Sequence, residues 1–373
     1  MSVLSTVKDR YAQGANEVQP ELCCPVDYDK SLLAMLPQEI IDKDYGCGDP
    51  SRYVKEGDTV LDLGSGGGKI CYMAAQLVGE KGHVIGVDMT EDMLALARKY
   101  QDDIAAKLGG QRVTFYRGHI QNLALNLDAV DEYLSQHPVN SVTDMENLTK
   151  WKEQQCHANP LIKDNSVDLV ISNCVLNLVA EEDKQFLISE IFRVLKPGGR
   201  VAISDIVSDE IVPQKLRDDA KLWSGCISGA FHEKEFLNAF VDVGFNSVAY
   251  DKWDAQAWQV VAGIEFRSVT LTAVKGHGQA CIDRGHAAIY LGPYASVSDD
   301  EGHLYPRGER MAICERTYNY LSEGPQCKDF ITIAPTQLRD PVDWCAPPGT
   351  QRPASETKGA THGNNVTTNT SCC

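Results

Sequence analysis

Four of the thirteen cysteines, Cys47, Cys71, Cys174 and Cys226, stand where chemistry is expected. Cys47 lies between glycines in Tyr45-Gly46-Cys47-Gly48, a loop by composition rather than a packed position. Cys71 falls in the first turn of a helix that follows a glycine run; a helix N-terminus there is expected to lower its pKa and favour the thiolate. Cys174 follows polar Asn173 at the carboxyl end of the apolar run 167–172, and Cys226 is flanked by Gly225 and Ser228-Gly229, a permissive backbone. Sulfur ligands select soft, thiophilic partners, so thiols gathered near one ligand point to a substrate held by sulfur. None of the spacings forms a C-x₂-C zinc knuckle. Cys156, Cys281, Cys314 and Cys327 have no comparable position and read as structural, since cysteine is a frequent core residue.

The second constellation lies in residues 59–88. Residues 59–63 read as a buried strand, and Gly64, Gly66, Gly67 and Gly68 make a turn that lets backbone approach a ligand closely. Ile70, Met73, Ala74, Leu77 and Val78 then repeat at helical spacing. A second strand, 84–88, ends in Asp88, 22 positions after Gly66. Strand, glycine loop, helix, strand and acid is the order of a nucleotide-binding half-domain, with the acid set to hold ribose hydroxyls. The run G-x-G-G-G, with Asp62 inside the first strand, resembles the E/D-x-G-x-G-x-G signature of S-adenosylmethionine methyltransferases. That resemblance implies cofactor contacts from Asp62, Gly64, Ser65, Gly66, Gly68, Asp88, Met89 and Ile120.

The elements that must position these residues alternate as in an α/β, Rossmann-like sheet. Residues 1–55 form a helical segment with a lid-like cysteine loop. Residues 56–210 carry the nucleotide-binding domain, with strands at 113–116, 167–172 and 201–206 and a helix at 183–195 that Lys196-Pro197-Gly198-Gly199 ends. Residues 121–164 interrupt the alternation and read as an inserted helical hairpin. Residues 211–275 complete the sheet, with helices at 216–227 and 233–243 and a strand at 269–274. Residues 276–336 read as a small β-rich appendage. From 337 to 373 the chain is rich in Pro, Thr, Asn, Gly and Ser, a composition expected to be disordered, and it carries Cys345, Cys372 and Cys373.

Composition excludes some functions. With a formal charge of −17 over 373 residues the chain is unsuited to nucleic acid or an anionic membrane surface. No apolar run approaches the ~20 residues of a membrane span. Residues 1–10 lack the hydrophobic region of a signal peptide, so a cytoplasmic setting with reduced thiols is expected.

At motif level the chain resembles the arsenite S-adenosylmethionine methyltransferases. The resemblance rests on Tyr45-Gly46-Cys47-Gly48, Asp62-Leu63-Gly64-Ser65-Gly66, Cys71-Tyr72, 172–178 around Asn173-Cys174, and Gly225-Cys226 with Gly229-Ala230. It covers about residues 5–275; the insertion and appendage are similar to a microbial branch with a C-terminal extension, and Cys23-Cys24 resembles an N-terminal cysteine pair of the family. Lys69-Ile70 stands where Arg-Asp is usual. The family implies Cys47, Cys71, Cys174 and Cys226 as functional thiols, with Cys71, Cys174 and Cys226 as As(III) ligands. It also implies S-adenosylmethionine as methyl donor, a transient Cys47–Cys71 disulfide, and glutathione or thioredoxin as reductant. The rival reading is a methyltransferase acting on another small metabolite, for which His119 or His232 would serve as base.

Overall fold

The computed structural model describes residues 3–19, 26–278, 280–324 and 326–357, and it divides into two compact units, Met1–Lys275 and Gly276–Cys373. In the first unit the helices α1 (Val3–Asn16), α2 (Lys30–Leu33) and α3 (Gln38–Asp42) precede β1 (Thr59–Leu63). There follow α4 (Lys69–Leu77), β2 (His83–Asp88), α5 (Glu91–Lys99), α6 (Gln101–Leu108), β3 (Val113–Arg117), α7 (Leu127–Gln136) and α8 (Val142–Ala158). The remainder is β4 (Val167–Asn173), α9 (Glu181–Val194), β5 (Leu195–Ser208), α10 (Gln214–Arg217), α11 (Ala220–Ser224), β6 (Phe231–His232), α12 (Glu233–Val243), β7 (Phe245–Trp253), β8 (Gln259–Val261) and β9 (Ile264–Lys275).

The strands form one sheet in the order β3-β2-β1-β4-β5-β9-β7, with β6 beside β5 and β8 beside β9. β3 to β5 run parallel and β9 is antiparallel to both neighbours. Successive side chains of a strand face opposite sides, and a parallel sheet is covered on both. Leu61, Val170 and Ile203 accordingly join a core with Leu187, Ile191 and Phe240, while Val60, Leu169 and Ala202 join another with Met73, Ala74 and Leu94. The order reverses direction of growth between β1 and β4, which leaves a crevice beyond their carboxyl ends.

Several expectations change here. The helix expected over 216–227 is broken into α10 and α11, because the Asp219 carboxylate accepts from the amides of Lys221 and Leu222 and restarts the helix. Cys226 therefore follows α11 instead of lying within a helix. The strand expected at 269–274 spans twelve residues, since nine of its positions pair along β5. β7, not anticipated, closes the sheet edge. The insertion at 121–164 is α7 and α8, joined across Pro138, as a helical hairpin.

In the second unit β10 (Ile282–Asp283), β11 (Ala287–Tyr290), β12 (Ser296–Ser298), β13 (Leu304–Pro306), β14 (Arg310–Ala312), α13 (Glu315–Glu323), β15 (Phe330–Ile333) and β16 (Val342–Asp343) surround a core of Ala288, Tyr290, Tyr305, Met311, Ile313 and Leu321. β14, β11 and β15 form one antiparallel sheet, β12 pairs β13, and β10 pairs β16. The disorder expected from 337 is not found over the described stretch 337–357. β16 pairs with β10, the amide of Ala312 donates to Thr350 and that of Arg352 to Arg310, and the buried Arg352 guanidinium meets Asp283 at 2.7 Å. Backbone pairing and an ion pair supply the order that apolar composition did not announce. Cys23, Cys24, Cys372 and Cys373 lie outside the described residues. Among the described residues no helix is long and apolar enough to cross a membrane.

Candidate active site

The glycine loop follows β1 into α4. Gly64 turns with φ of 70°, and a Cβ there would meet Val175 at 2.5 Å, so this chain position tolerates no side chain. The amide of Gly66 donates to Asp88 Oδ2 at 3.0 Å and that of Thr90 to Asp88 Oδ1 at 2.8 Å, which fixes the carboxylate at the end of β2. Burial pushes the Asp88 carboxyl above its ordinary value, against these bonds. Asp62, Gly64, Ser65, Gly66, Asp88, Met89 and Ile120 all line a cavity of about 150 Å³, whereas Gly68 caps α4 beside it. The buried Ser65 hydroxyl has no partner among the described residues. An orphaned hydroxyl, a backbone cradle and a ribose-placed acid fit S-adenosylmethionine.

Cys174 lines the same cavity. Its φ is 62° and that of Cys226 is 63°. Left-handed backbone at a non-glycine residue costs on the order of 1–3 kcal/mol, and such outliers cluster at functional sites. The Cys226 thiol donates to the Cys174 carbonyl at 3.3 Å, so the two strained residues share one corner. Cys47, fully buried, comes from the loop after α3, and its thiol, that of Cys174 and an Asp205 carboxylate oxygen lie within 4.8 Å of one another.

Asn173 seats that loop. Its Oδ1 accepts from the amides of Cys47 at 2.9 Å and Gly48 at 3.0 Å, and its Nδ2 donates to the Gly48 carbonyl at 2.9 Å. The Ser268 hydroxyl donates to the Cys47 carbonyl at 2.6 Å. The approach is so close that a Cβ on Gly46 would lie 2.0 Å from Asn173 Nδ2. Tyr11, from α1, packs against the cluster that holds Cys226; burial, with Cys226 beside it, raises its pKa, so it remains a phenol.

Cys71 does not join this group. It packs with Tyr72 and Met73 in the other core, and its thiol donates to Asp62 Oδ2 at 3.2 Å, behind the cavity wall. Burial and the Asp62 charge raise its pKa well above the ordinary value, overturning the lowered pKa expected from the helix N-terminus. Desolvation outweighs a partial dipole here. Burial likewise pushes Asp62 up to about 7, while the Cys71 bond pulls it down. Lys69, at the position where Arg is usual, pairs with Asp44 at 2.9 Å and lies over the Tyr28 ring, so it ties the N-terminal segment to α4. His119 and His232 are absent from the cavity lining; His232 caps α12 by accepting from the amide of Lys234.

Three contributors escaped the sequence reading. Asp205 is a buried acid in an apolar strand, the same signal that marked Asp62, and was available. Its carboxylate accepts from the amides of Leu176 and Ile206 and from Asn177 Nδ2, and burial pushes its pKa up to about 6. Asn173 stands out in the sequence as a polar strand end within the motif around Cys174, which does not reveal that it clamps the Cys47 loop. Nothing local marks Tyr11, which arrives from a remote helix.

A parallel sheet with an antiparallel β9, a glycine cradle at the switch point and Asp88 at the end of the neighbouring β2 define a class, the S-adenosylmethionine-dependent methyltransferases. Residues 54–150 and 146–244 match a family model described as a methyltransferase domain, and 277–362 match one described as a domain of unknown function. The chain is similar to the arsenite methyltransferase of Aquipseudomonas alcaligenes, 30% identical over 83% of this chain and 84% of that protein. The arsenite methyltransferase of Homo sapiens is 30% identical over 81% of this chain and 74% of that protein. The crystal structure of an arsenic (III) S-adenosylmethionine methyltransferase from Chlamydomonas reinhardtii superposes with a TM-score of 0.57, at 31% identity, over 83% of this chain and 97% of that one. The chain belongs to the arsenite methyltransferase family.

Proposed function

We propose that the chain methylates trivalent arsenic, presented as arsenite or its thiol conjugate and held by protein sulfur. The observation that carries this is the pair of left-handed cysteines: Cys174 lines the cavity together with the glycine loop, and Cys226 is hydrogen-bonded to the Cys174 carbonyl. S-adenosylmethionine supplies an electrophilic methyl group when bound. Asp88 would hold its ribose, the side-chain-free backbone of the Gly64–Gly67 turn would let it approach closely, and the Ser65 hydroxyl would serve as a further donor.

Cys174 and Cys226 act as arsenic ligands and Cys47, carried in on the Asn173-clamped loop, as the third sulfur within reach. Arsenic bound by sulfur keeps a lone pair and no proton, so its attack on a methyl group needs no general base. The work of these residues is positioning. Asp205, at the same corner, receives the proton that a thiol loses on binding; burial tunes it toward that task.

Methyl transfer oxidises arsenic formally by two electrons, and an external thiol, glutathione or thioredoxin, returns them. If a Cys47–Cys71 disulfide carries those electrons, Cys71 must first leave its bond to Asp62.

Incubation with arsenite, S-adenosylmethionine and glutathione followed by arsenic speciation tests the reading. Methylated arsenic is expected from the wild type and not from Cys174→Ser or Cys226→Ser. Undiminished methylation in both variants would sink it.

A further inference from the structure

The second unit contains a sulfur pair that the catalytic reading leaves unused. β10 and β16 pair antiparallel, and the amide of Trp344 donates to the Cys281 carbonyl at 2.8 Å. This brings Cys281 and Cys345 together at the end of the ribbon, close enough for their thiols to interact. On the far side Cys345 Sγ lies 3.5 Å from His303 Nε2, while His303 Nδ1 is held by Asp299 Oδ2 at 2.8 Å. Cys345 is exposed and Cys281 half-buried, so a solute can reach the pair. A carboxylate that orients an imidazole whose other nitrogen faces a sulfur is the support characteristic of a ligand site.

We propose that Cys281 and Cys345 form a dithiol site for trivalent arsenic, separate from the Cys47, Cys174 and Cys226 corner. Soft As(III) takes two sulfurs and keeps one outside ligand, which suits a pair more than a cage. A structural zinc site needs four ligands converging on one point. Among the described residues the sole set of three His, Cys, Asp or Glu ligand atoms within 4.8 Å of one another is Cys47, Cys174 and Asp205, so Cys281, Cys345 and His303 do not converge that way.

The binding step balances without another reagent. Arsenous acid and the two thiols exchange: two As–O and two S–H bonds break, two As–S bonds form, and two waters leave, with arsenic remaining trivalent. Each thiol proton departs on the arsenic's own hydroxide. Asp299 Oδ2, 2.8 Å from His303 Nδ1, fixes the imidazole so that its Nε2 faces the sulfur of Cys345. The choice of arsenic among thiophilic ions rests on the function proposed above; the sulfur geometry does not.

The test uses full-length Cys174→Ser/Cys226→Ser protein, equilibrated with arsenite in glutathione buffer, desalted, and measured for arsenic per chain. Adding Cys281→Ser, or separately Cys345→Ala at the exposed position, is expected to remove about one equivalent of bound arsenic. Circular dichroism confirms that each variant is folded, and Cys327→Ser serves as an unaffected control. Equal arsenic content with and without Cys281 and Cys345 overturns the proposal, as does Cys281-dependent uptake of zinc(II) without uptake of arsenite. Arsenite methylation by the wild type with no arsenic at this pair removes this site alone. Arsenic at this pair with no methylation removes the catalytic reading and leaves the site standing.

Discussion

At the residue scale, the cysteine corner depends on a side chain that does no chemistry. Asn173 accepts from two amides of the Cys47 loop and donates to a carbonyl of the same loop. Buried amides left without an acceptor cost about 1–3 kcal/mol each. Asn173→Ala is therefore expected to slow arsenite methylation by roughly ten- to a hundredfold, at ~1.4 kcal/mol per factor of ten, read from initial rates at saturating S-adenosylmethionine. Gly46→Ala should do the same from the opposite side, because its Cβ would displace Asn173. A rate within twofold of wild type in both variants would show that the loop is seated otherwise. Cys47, Cys174 and Cys226 were legible because glycine neighbours and strand ends have sequence signals. The protonation of Cys71 was not, since it depends on Asp62, which only folding brings to it across the sheet layer.

At the element scale, what is buried separates the sheet from its insertion. α12 drives Phe236 and Phe240 fully into the core beneath the sheet. α8 has no buried residue, and Val142 and Met145 on it are 78% and 59% exposed. Met145→Glu should accordingly change unfolding free energy by less than about 0.5 kcal/mol. Phe236→Ala should cost about 3–5 kcal/mol. Urea denaturation of the two variants checks the contrast, and a comparable loss in both would mean that α8 packs against something in solution. α7 is tied in by Arg117, which meets Asp128 at 3.2 Å and also pairs with Asp131. The hairpin's helical period was visible in the sequence. The splitting of 216–227 was not, because Leu216, Leu222 and Ile227 keep an apolar pattern across the break and only the Asp219 cap reveals it.

At the scale of the whole molecule, the second unit has its own pH response. His303 has its folded pKa raised from 6.5 to about 9, first by the hydrogen bond to Asp299. The stability this pair contributes is fully present below pH 6.5 and is lost as pH rises through about 9. Hydrogen exchange over residues 299–305, corrected for the intrinsic rate, should lose protection across that window in the wild type. In His303→Asn the loss should vanish; an unchanged profile would assign the window to another group. The sequence by itself determined the α/β class, the glycine loop, Asp62 and Asp88, and the three corner cysteines as candidates, because those follow from local periodicity and from turn and motif chemistry within a few residues. Tertiary structure decided the rest. It joined Asp205 and Asn173 to the cysteines through the registry of β4 with β5. It withdrew Cys71 behind Asp62, ordered 337–357 by pairing with backbone some forty to sixty residues away, and brought Cys281 near Cys345. Apart from the Cys71–Asp62 bond, which turns on burial, each of these is a contact between residues far apart in the chain, and a desolvation or a hydrogen bond that only the folded neighbour supplies leaves no periodicity to read.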